Sequence, residues 1–75
     1  MLEEIKTQIH NAARRKHKIA MFHYQVLIHA HELADIDAVD FCKAVCVPES
    51  YAIEFRKMLS LDRLMDEVGA RIVRT

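Results

Sequence analysis

The chain contains one glycine, one proline and no tryptophan in 75 residues. A single glycine excludes every glycine-rich phosphate or dinucleotide loop and the serine elbow of hydrolases. So few breakers favour helix almost throughout. No apolar run approaches the roughly 20 residues of a membrane span, and nothing at the N-terminus reads as a secretory signal, since Glu3 and Glu4 follow Leu2 directly. Cysteine is also scarce. Cys42 and Cys46, four residues apart, are expected one turn apart on a single helix and are not a disulfide framework. The cytoplasm is the expected compartment.

What is present describes one small domain. Hydrophobic residues make up 52% and charged residues 29%, a globular and not a disordered composition. At this size only roughly 60% of the unfolded chain's surface can be buried. Stability is therefore expected to be marginal, and a homodimer or a bound partner is a natural source of more. No internal repeat, linker or low-complexity stretch interrupts the chain.

Hydrophobic spacing gives an all-α fold of four or five short helices. Leu2, Ile5, Ile9, Ala12 and Ala13 mark a first amphipathic helix that ends or bends at Arg14, Arg15, Lys16, His17 and Lys18. Ile19, Phe22, Val26, Leu27, Ala30, Leu33 and Ala34 carry a second over residues 18–34, or extend the first. Asp37 is placed to cap a short third helix with Phe41, Val45 and Cys42 as its core positions. Pro48 suits the first turn of the next helix, where its missing donor would be unpaired anyway, and Glu49 suits its dipole. Ala52, Phe55, Met58 and Leu59 form that helix's expected buried side. Ser60 can cap a last helix with Leu61, Leu64, Met65 and Val68 facing inward, ended by Gly69. The expected organisation is an N-terminal helical extension over residues 1–18, a core over 19–69, and a tail or short strand over 70–75.

The stretch Asp37-Ala38-Val39-Asp40-Phe41-Cys42-Lys43-Ala44-Val45-Cys46-Val47-Pro48 resembles the second helix and turn of lambda-repressor-like (Xre-type) domains. Asp37 stands at the family's cap, Phe41 and Cys42 at its apolar-Ala pair, and Val45-Cys46-Val47-Pro48 where apolar-Gly-Val-Ser is usual. Leu27, Ala30 and Ile36 fall at first-helix core positions. Residues 49–58 look like the recognition helix. Ser60-Leu61-Asp62-Arg63-Leu64-Met65 and Val68-Gly69-Ala70-Arg71-Ile72-Val73 are similar to the final helix and its exit. The resemblance covers about two thirds of the chain and implies a helix-turn-helix core. It departs from the family pattern at Cys46, which lacks glycine's easy access to positive φ, and in a short link to the final helix.

Charge is unevenly distributed. Residues 1–18 hold five Lys/Arg against two Asp/Glu, residues 19–31 none, residues 32–54 one against six, and residues 55–75 five against three. The −5 segment is the helix-turn-helix itself. A DNA reader of this kind gains affinity from cations and amides against phosphates, with the start of its recognition helix at base edges. Here the outward positions are expected to be Glu49, Ser50, Ile53, Glu54 and Lys57, with Asp35, Asp37 and Asp40 nearby, a repulsive approach to a polyanion. The bland alternative is a merely solvated acidic face.

The preferred expectation is a transcription-regulatory protein that binds a protein partner, a transcription factor, through those five residues. In size, fold class and charge it is similar to small antiactivators with helix-turn-helix-like domains. The alternative is a dimeric DNA-binding repressor reading bases through Ser50, Ile53 and Lys57, with Arg14, Arg15 and Lys18 on phosphates. A third is an assembly subunit whose helices pair with a partner.

No catalytic residue, cofactor or metal ligand is assigned. His29 and His31 point in different directions on a helix, and His10 and His17 share a face but lack a nearby third ligand. Cys42 reads as a small buried apolar residue rather than a nucleophile. Met21, Met58 and Met65 read as core filling, and His17, His23, His29 and His31 as partly exposed helix histidines.

Overall fold

The computed structural model describes residues 1–72. Five α-helices follow in order: α1 Leu2–Ala13, α2 Lys18–Ile28, α3 Ala30–Leu33, α4 Ala38–Ala44 and α5 Ala52–Val68, with a 3-10 turn Glu49–Tyr51 leading directly into α5. No strand occurs among the described residues. The fold is all-α. Residues 70–72 are not a strand, and the remainder of the expected tail or strand lies outside the described residues.

α1 is a wall of the core. Ile5, Ile9 and Ala12, at spacings of four and three, are fully buried, and the helix packs chiefly on α2 across the turn at residues 14–17. Glu3 and Glu4 in its first turn and His10 in its last agree with the helix dipole. His10 also reaches across the molecule: with its proton on Nε2, it donates to the Val45 carbonyl at 2.9 Å.

The single helix expected over residues 18–34 is broken at His29, whose φ of −109° and ψ of 16° separate α2 from α3. Phe22, Val26, Ala30 and Leu33 are buried as expected. Ile19 and Ala34 are exposed, because the apolar spacing describes a stripe wider than the face the neighbours cover.

α4 starts where the sequence places it. The Asp37 carboxylate accepts from the Val39 and Asp40 amides at 3.0 and 3.1 Å, and Phe41, Cys42 and Val45 are buried. Its end differs. Cys46 does not share a helix with Cys42: it lies beyond α4, exposed, at φ 58°. The Val47 amide donates to the Cys42 carbonyl and the Cys46 amide to the Lys43 carbonyl, the pair of bonds that defines a Schellman stop, with Val47 buried beside it. A glycine would adopt this backbone without steric cost, so Cys46 bears the strain.

The same stop recurs twice. Lys16 at φ 62° ends α1, with His17 donating to Ala12 and Lys16 to Ala13, and Gly69 at φ 76° ends α5, with Ala70 donating to Met65 and Gly69 to Asp66. Only the last uses the residue that adopts this conformation without steric cost.

α5 corrects the expected break at Ser60. The helix runs through that residue, whose hydroxyl accepts from Arg63 at 3.2 Å instead of capping a new helix. Without a break, the helical phase set by Ala52 and Phe55 carries on at about 100° per residue. That phase brings Asp62 inward and turns Leu64, nine residues after Phe55, to the opposite side. Asp62 is buried, while Leu61, Leu64 and Val68 are exposed.

The helices meet in an aromatic cluster. The Phe22 ring lies edge-on to Phe41 at 5.8 Å and to Tyr51 at 5.1 Å, and Phe41 packs on Phe55 at 4.7 Å. These four side chains join α2, α4, the 3-10 turn and α5.

The two non-glycine stops generate a prediction. Left-handed backbone costs an L-residue about 1–2 kcal/mol, partly offset by glycine's larger entropy loss. Cys46→Gly and Lys16→Gly should therefore each raise unfolding stability by about 0.5–1 kcal/mol in urea titrations. A loss of stability in both would contradict the assigned backbone.

Candidate functional site

The candidate surface is built by α4, the turn at residues 45–48 and the start of α5. Pro48, at φ −60° and ψ 147°, stands just before the 3-10 turn at the cap position, one place earlier than the first-turn position expected for it. Its extended backbone sends residues 49–51 out of the turn. Glu49 and Ser50 are exposed there, Lys57 is exposed further along, and Ile53 is 57% exposed. Ile53 is thus an apolar side chain in water with charged residues beside it.

Glu54 behaves differently from the other four. It is half-buried, its Oε1 accepts from His23 Nε2 at 2.8 Å, and its Oε2 accepts from Lys57 Nζ at 3.2 Å. The hydrogen bonds from His23, then from Lys57, hold its carboxyl below the ordinary value. This carboxylate ties α5 to α2 and is already engaged within the chain. From the sequence His23 is an ordinary helix histidine, and no local pattern links it to a residue 31 positions away.

Arg14 and Arg15 are exposed on the turn between α1 and α2. Lys18, partly exposed, places its Nζ 5.6 Å from the centre of the Tyr51 ring. Tyr51 packs against both Phe22 and Lys18, so it seats the start of α5 against the start of α2. Lys18, at the end of the basic stretch, and the start of α5, far apart in sequence, are therefore adjacent.

Electrostatics at the two helix starts are acidic. Asp37 saturates two α4 amides with its own carboxylate, Asp40 sits in the same first turn, and Glu49 opens the 3-10 turn. Beneath this surface Cys42 is buried; burial pushes its thiol up, Glu49 adds to this, and Arg56 opposes it. That direction disfavours the thiolate a nucleophile needs.

The Glu54 arrangement predicts a pH dependence. A carboxyl with a lowered folded-state value contributes stability that is complete above its unfolded value, and loses it as pH falls through the lowered one. Stability measured by urea titration across the acid range should fall more steeply in the wild type than in Glu54→Gln, with the difference confined below the ordinary carboxylate range of about 4.3. Parallel curves would contradict the role given to this carboxylate.

No curated protein and no solved structure matches the chain. A family model described as an HTH-like domain matches residues 1–67, which takes in α1 and the 3-10 turn and nearly all of α5. α1, outside the helix-turn-helix resemblance in the sequence, is thus inside the family's span. Such domains are a regulatory, non-enzymatic kind of fold, of the sort found in DNA-binding regulators. The chain belongs to the HTH-like domain family.

Proposed function

We propose that this protein is a small cytoplasmic transcription regulator whose α4–turn–α5 unit binds a protein partner, a transcription factor, as an antiactivator does. We read the fold as a variant of the lambda-repressor-like type in which recognition helix and final helix are fused into α5. The observation that carries the functional reading is the acidic charge at both helix starts. A helix-turn-helix meets phosphates with helix N-terminal amides and cations. Here the Val39 and Asp40 amides are already bonded to Asp37, and Asp40 and Glu49 present further negative charge.

The same surface suits a protein. Ile53 is an exposed apolar anchor, and Glu49, Ser50 and Lys57 form a polar rim around it, the arrangement in which a central side chain contributes most of the binding energy. The complementary partner carries an apolar pocket with basic residues at its edge. Glu54 supports the surface from within by holding α5 on α2.

A second reading is favoured by one contact. Lys18 lies beside Tyr51 at the start of α5, and Arg14 and Arg15 are exposed on the turn that precedes it, so in this reading these three contact phosphates while Ser50, Ile53 and Lys57 face bases.

A photo-crosslinking residue at position 50, on the rim beside the Ile53 anchor, separates the two in the host cell. The proposal expects a covalent product with a transcription factor, lost when Glu49→Lys is added. A product with DNA, retained or increased with Glu49→Lys, would overturn it. The Glu49→Lys change is preferable to one at Glu54, because Glu54 also holds two helices together.

A further inference from the structure

Four of the seven large apolar side chains exposed among the described residues lie on α5: Ile53, Leu61, Leu64 and Val68. The last three form a row. Asp62 is buried, 3.3 Å from His31 of α3, and this contact fixes the rotation of the distal half of the helix. At about 100° per residue, Leu61, Leu64 and Val68 then fall within a sector of roughly 60° that points away from the core. Leu64 is 52% exposed and Val68 69%. A contiguous apolar row on a small domain marks a surface that another one covers.

Charge identifies what covers it. Lys57 continues the row one turn before Leu61, Glu67 borders it beside Val68, and both are exposed. Lys57 gives one hydrogen bond to Glu54 at 3.2 Å and keeps further donors, while Glu67 has no ion pair among the described residues. The midpoint between Lys57 and Glu67 coincides, within one residue, with the midpoint between Leu61 and Leu64. A two-fold axis through that point sets Leu61 against Leu64 of a second, antiparallel helix and, by the same operation, each Lys57 against the opposing Glu67. Val68 then lies over the aliphatic stem of the opposing lysine. A parallel pairing would instead set Lys57 beside Lys57 and Glu67 beside Glu67.

We propose that this face binds a second copy of the chain, giving a two-fold dimer through antiparallel α5 helices centred between Leu61 and Leu64. α5 ends at Val68, which stands opposite Lys57, so the paired span is residues 57–68 and Ile53 lies beyond it. The dimer leaves the Ile53 anchor open whether that surface takes a protein or DNA. About three turns of one helix face cover less than the roughly 800 Å² per partner of a standard interface, so association is weak, with a Kd on the order of 10–100 µM.

Sedimentation velocity of the full chain from about 5 to about 500 µM should show monomer passing into dimer. Leu64→Glu, at an exposed position, should stay monomeric throughout with an unchanged circular dichroism spectrum. Lys57→Glu and Glu67→Lys should each weaken association about fivefold or more at low salt, and the two together should recover most of it, because the exchange restores both pairs in reverse. Tyr24→Ser, which removes a comparably exposed side chain from α2, should leave association unchanged. A wild type that is monomeric at the highest concentration, a Leu64→Glu chain that dimerises as the wild type does, a double variant as weak as either single one, or a loss with Tyr24→Ser would overturn the proposal.

Discussion

The contact of Phe41 with Phe22 and Phe55 packs α4 against both α2 and α5, and the candidate surface is built on that junction. Phe41 is fully buried with rings on both sides, one from α2 and one from α5. Replacing such a ring by alanine costs about 3–5 kcal/mol, against a total stability of about 5–15 kcal/mol for an ordinary domain. Tyr51 extends the cluster to the 3-10 turn, so the candidate surface begins on a residue anchored from below. α1 completes the core by covering α2 with Ile5 and Ile9, and His10 ties it to the turn carbonyl of Val45. A chain of this length cannot dispense with that cover. The family match, which begins at residue 1, is consistent with it.

Local chemistry was legible where one residue decides the outcome. The Asp37 cap, the buried Phe41, Cys42 and Val45, the stop at Gly69 and the basic turn after α1 each follow from a side chain acting on its nearest neighbours. Ser60 misled because serine is a good cap but also tolerable inside an exposed helix face. Once the break is imagined there, the phase restarts, Leu61, Leu64, Met65 and Val68 turn inward, and Asp62 turns out. Cys46 shows the reverse situation. Its side chain argues against left-handed backbone, yet the Schellman bonds of Val47 and of Cys46 itself impose it.

The candidate surface was legible as a set of exposed positions, but not as a geometry. Glu49, Ser50, Ile53 and Lys57 are open to solvent, whereas Glu54 is drawn inward by His23. That pair spans two helices, as does the approach of His31 to Asp62, and neither leaves a periodic trace in the sequence. The contact of Lys18 with Tyr51 is of the same kind. It places one cation of the +3 segment over an aromatic ring of the −5 segment, a neighbour 33 positions away in sequence.

Two acidic helix starts beside an exposed isoleucine are the physical basis for the proposal that this HTH-like domain binds a protein partner. The most direct measurement is a titration of isotope-labelled protein with mixed-sequence duplex DNA, at low and at physiological salt, following backbone amides. Electrostatic binding is strongest at low salt. The account predicts no shifts over residues 49–57 even there. Shifts across those residues that fade as salt rises would contradict it and make the surface a DNA-reading one.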